Sequence, residues 1–118
     1  MSVQRMDADT AESIAGVVRL LRRAAEVAWD QADLQGASSP RQLWALGIDL
    51  AADEARSLVP DAVNLEGPMP VGEDPGGLVR SAEQLLRRLC VADAPARLHH
   101  LRARVVALVW EANTGVGA

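Results

Sequence analysis

The chain has no phenylalanine, no tyrosine and no lysine, and its 118 residues include a single cysteine. Each absence narrows the possibilities. With one thiol, Cys90, no disulfide forms within the chain, and a reducing cytoplasm is the simplest setting. No apolar run approaches the roughly 20 residues of a helical membrane span. The most apolar window, residues 43–52, is short and interrupted by Asp49. No apolar segment of signal-peptide type follows the opening residues, so no leader is expected and the expected location is the cytoplasm. The only aromatic rings are Trp29, Trp44 and Trp110, and every basic side chain is arginine. Abundant Ala, Arg, Val and Leu point to a GC-rich, bacterial genome. The net charge of −4 argues against a general nucleic-acid binder, which is normally basic.

The charges that are present are sorted along the chain. Residues 26–74 carry ten acids against Arg41 and Arg56, whereas residues 80–104 carry six arginines against Glu83 and Asp93. A chain polarised in this way can pair with itself, with a copy, or with charged partners.

Four segments have helical period and recognisable ends. The first covers 10–34, with Asp9 and Glu12 spaced as a capping box and Gly36 as a stop; Ile14, Val17, Val18, Leu21, Ala25, Ala28, Trp29 and Ala32 make its apolar stripe. The second opens on Ser39-Pro40, with Ser at the cap and Pro at the first helical position, and reaches about residue 59, where Pro60 ends it. The third covers 75–91, with Leu78, Ala82, Leu85, Leu86 and Leu89 inward and Glu83/Arg87 as an i,i+4 pair. The fourth opens near Asp93-Ala94-Pro95 and reaches Asn113, with Gly115 as terminator. No strand-length alternation interrupts them. The pattern predicts an all-α, single-domain four-helix bundle over residues 10–114, with flexible ends at 1–9 and 115–118. Short connections after the first and third helices favour antiparallel neighbours. The stretch 60–74 between helices 2 and 3 is long and rich in Pro and Gly. Its evenly spaced Val63, Leu65, Met69 and Val71 suit a packed crossover better than a mobile lid.

Several residues do not fit a simple bundle. A projection of the second helix places Glu54 in an apolar stripe with Leu43, Gly47, Leu50, Ala51, Ala55 and Leu58. A carboxylate there needs a cation, since burying an unpaired charge is very costly. Arg102 is the expected partner, and Gly47 removes volume beside it. Glu54, Gly47 and Arg102 therefore form a candidate buried pair or small ligand pocket.

The fourth helix has two apolar sides. Leu98, Leu101, Val105, Leu108, Val109 and Ala112 make the core stripe, while Ala103, Val106 and Trp110, with His99 leaning toward them, lie roughly opposite. Since Trp is favoured at interface hot spots, this second side is read as a homodimer contact.

Two further classes compete with a non-catalytic dimerising interaction or ligand-binding module. Glu26, Asp30 and Asp33 share one helix face, as do Asp49 and Asp53, and carboxylates so spaced suit Mg²⁺ or Mn²⁺ in a metal-dependent hydrolase. These clusters resemble the paired helix carboxylates of all-α nucleotide pyrophosphohydrolases. The usual adjacent acidic pair is missing, however, and Asp49/Asp53 is spaced by four rather than three, so no residue role is carried over. Arg80, Arg87, Arg88, Arg97 and Arg104 define the nucleic-acid alternative, which an acidic total and the lack of a recognition-helix motif disfavour. Cys90 reads as a packed small hydrophobe, although Arg87 and Arg88 nearby would lower a thiol pKa. Gly76-Gly77 lacks the strand and the Lys-Ser/Thr of a phosphate loop. No Ser/His/Asp or cofactor motif stands out, and no cofactor is expected. A homodimer, with a possible protein partner on the charged faces and no membrane contact, is the expected assembly.

Overall fold

The computed structural model describes residues 8–35, 40–59, 74–90 and 94–113. They form four α-helices, α1 (Ala8–Gln35), α2 (Pro40–Ser57), α3 (Pro75–Leu89) and α4 (Ala96–Asn113), and no strand occurs among the described residues. The predicted all-α four-helix bundle is the fold.

Local chemistry accounts for the ends that can be seen. Asp74 caps α3: its carboxylate accepts from Gly77 N at 3.2 Å and its carbonyl from Leu78 N at 3.1 Å, with Pro75 at the first helical position. The last turn of α2 tightens as Leu58 N and Val59 N donate to the carbonyls of Ala55 and Arg56. Cys90 N closes α3 on Leu86 O, two residues short of the expected end. At the start of α4 the carbonyl of Pro95 accepts from Leu98 N and His99 N. One expected cap is corrected. The helix begins at Ala8, which puts Asp9 inside its first turn rather than at the cap. The signals at Gly36, Ser39 and Gly115, the apolar residues of the 60–74 connection and both chain ends lie outside the described residues.

The helices close a ring in which α1 packs on α2 and α3, and α4 packs on α3 and α2. Trp44 and Gly47 of α2 meet Leu108 near the end of α4, whereas Ser57 meets Arg97 near its start, so α2 and α4 run antiparallel. Gly76 beside Ala112 and Cys90 beside Leu98 show the same for α3 and α4. It follows that α2 and α3 run parallel, with the end of α2 and the start of α3 at opposite ends of the bundle.

The core is built from large residues meeting small ones. Ile14, Val17, Val18 and Leu21 of α1, Trp44 and Ile48 of α2, Val79 and Leu86 of α3, and Leu101 and Val105 of α4 are fully buried. Both α1 and α2 bury a run of alanines: Ala24, Ala25, Ala28 and Ala32 on α1, Ala45, Ala51, Ala52 and Ala55 on α2. Small side chains let two backbones approach closely, and α1 packs more extensively on α2 than on α3.

The expected inward face of α2 is overturned. Leu43 and Leu50 are 71% and 50% exposed, while Trp44, Ala45 and Ile48 face the core beside Ala51, Ala52 and Ala55. The helix is rotated by roughly a quarter turn from the expected phase. That rotation buries the largest side chain available, Trp44, and turns alanines rather than leucines toward the core.

Candidate functional site

The geometry divides the predicted residues into inner polar links and an outer apolar surface. Glu54 sits at the edge of α2 that faces α4, its side chain 22% exposed. Arg104 Nε donates to its Oε1 at 2.9 Å. The expected partner Arg102 is elsewhere: its Nε lies 3.7 Å from Glu83 Oε2 on α3. Arg102 and Arg104 project about 160° apart on α4, so only one can face α2. Gly47 leaves no cleft. A Cβ built there would come within 3.0 Å of Leu108 Cδ2, so the glycine is what allows Leu108 to fill the space between the helices. The candidate pocket of Glu54, Gly47 and Arg102 is therefore not assembled.

The buried acid of this bundle is Glu83, whose side chain is only 9% exposed. Arg87 grips it from the next turn, Nη2 to Oε1 at 2.8 Å and Nε to Oε2 at 3.3 Å, and Arg102 faces it from α4. Glu83 was expected only as half of a surface pair. Its position within Val79, Ala82, Glu83 and Leu86, an i, i+3, i+4, i+7 set, is the signal that marks it as inward.

Three further links were not foreseen. Trp44 Nε1 donates to the backbone carbonyl of Leu108 at 3.0 Å, Trp29 Nε1 donates to Asp49 Oδ2 at 2.6 Å, and the buried Arg41 guanidinium donates to Gln31 Oε1. Ser57 Oγ donates to Glu54 O and accepts from Arg97 Nη2, extending the polar rim of the α2/α4 seam.

The carboxylates of the metal alternative do not converge. Asp49 is engaged by Trp29, Glu26 pairs with Arg23 at 3.5 Å, and Asp30, Asp33 and Asp53 are exposed. Among the described residues no three His, Cys, Asp or Glu side chains gather as a metal site would require. The arginines of the nucleic-acid alternative are split. Arg97 and Arg104 turn toward α2, while Arg80 and Arg87 engage Asp74 and Glu83 on α3. Burial pushes the Cys90 thiol above its ordinary pKa, with Arg102 rather than Arg87 or Arg88 opposing the rise. The net direction is away from a reactive thiolate.

On α4 the predicted second side is open. Trp110 is 67% and Val106 43% exposed, Ala103 and Ala107 are exposed between them and α2, and His99 is exposed on the same side. Across the seam α2 adds Leu43, Leu50 and Leu46, the last 45% exposed. The two stripes are separate: Val106 and Trp110 each stand two residues, about 160° of helix turn, from Arg104 and Leu108, the residues that face α2, and the Glu54–Arg104 pair lies along the seam between them.

The sorting of charge in sequence becomes a sorting in space. The adjacent helices α1 and α2 carry eight carboxylates against five arginines, and the adjacent helices α3 and α4 carry two against six. What the geometry defines is a four-helix bundle with oppositely charged layers and exposed apolar stripes on α2 and on α4. No known protein family, curated protein or solved structure matches the chain. No helix among the described residues is long and apolar enough to cross a membrane.

Proposed function

We propose that the protein is a non-catalytic helical module that self-associates through the outer side of α4, with Ala103, Val106, Trp110 and His99 in the contact. Its charged layers are then left to meet a protein partner, and its setting is the cytoplasm. The observation that carries this reading is the exposure of Trp110 and Val106 on one stripe of a helix whose opposite stripe, Leu98, Leu101, Val105 and Leu108, is buried. A contiguous apolar surface anchored by Trp is characteristic of an interface rather than of a solvated helix face. Sedimentation across a concentration series tests it. Wild type is expected to sediment as a dimer and Trp110→Ala as a monomer; a wild type that stays monomeric at every concentration sinks the reading.

A further inference from the structure

We draw no further inference here: the strongest candidate, the exposed stripe of Leu43, Leu46 and Leu50 on the outer side of α2, is an unpartnered apolar face, and nothing in the structure shows what covers it.

Discussion

Trp44 and Trp110 are the same residue type on adjacent helices, and the bundle treats them oppositely. Trp44 is buried in the core with its N–H on the Leu108 carbonyl of α4; Trp110 stands 67% exposed on the far side of α4. The first has its apolar area and its polar atom both satisfied within one chain. The second does not, and neither do the leucines of α2. The comparison teaches that the inward sides of α2 and α4 satisfy their apolar and polar groups within one chain, while Trp110, Val106 and the outward leucines of α2 stay exposed.

The sharpest way to break the comparison is Trp44→Ala. It leaves a large cavity and removes the indole link to α4, with an expected loss of about 3–5 kcal/mol of a total stability of about 5–15 kcal/mol, read by urea unfolding. Next comes the ionic counterpart. Glu83→Gln leaves Arg102 facing an uncharged amide in a nearly buried position and is expected to cost about 1–3 kcal/mol, less than a fully buried pair because both arginines reach solvent. Glu54→Gln removes the more exposed pair with Arg104, with an expected cost of about 0.2–1 kcal/mol that shrinks in high salt. If Glu54 proved the costlier of the two, the assignment of Glu83 as the interior acid would be wrong. Smallest of all is the effect of Trp110→Ala on the folded monomer. Measured at a dilution where association is lost, its unfolding free energy should stay within about 0.5 kcal/mol of wild type. A larger loss would mean that Trp110 supports the fold itself.

The four helices were legible because each carries its own punctuation and period. The face of α1 was legible because its apolar positions form one stripe opposite a charged one. The phase of α2 was not. Leu43, Trp44, Ala45, Leu46, Ile48, Leu50, Ala51 and Ala52 surround much of its circumference, so hydrophobicity alone fits more than one rotation. Side-chain volume decides between them, through contacts such as Gly47 and Trp44 against Leu108 of α4, some sixty residues later. The partner of Glu54 depends in addition on the phase of α4. Arg102 and Arg104 differ by two positions in sequence but face α3 and α2 respectively. The second apolar side of α4 was legible from its own periodicity, whereas the exposed leucines of α2 follow from a rotation that periodicity alone does not fix.

The placement of the three indoles also has an optical consequence. With no tyrosine or phenylalanine, the near-ultraviolet signal of this protein belongs to Trp29, Trp44 and Trp110 alone. One indole is enclosed and bonded to a carbonyl, one is half-buried against a carboxylate, and one faces water. Emission from the first should respond to unfolding and emission from the last to anything that settles on α4, so the native chain reports both events by colour without an added dye.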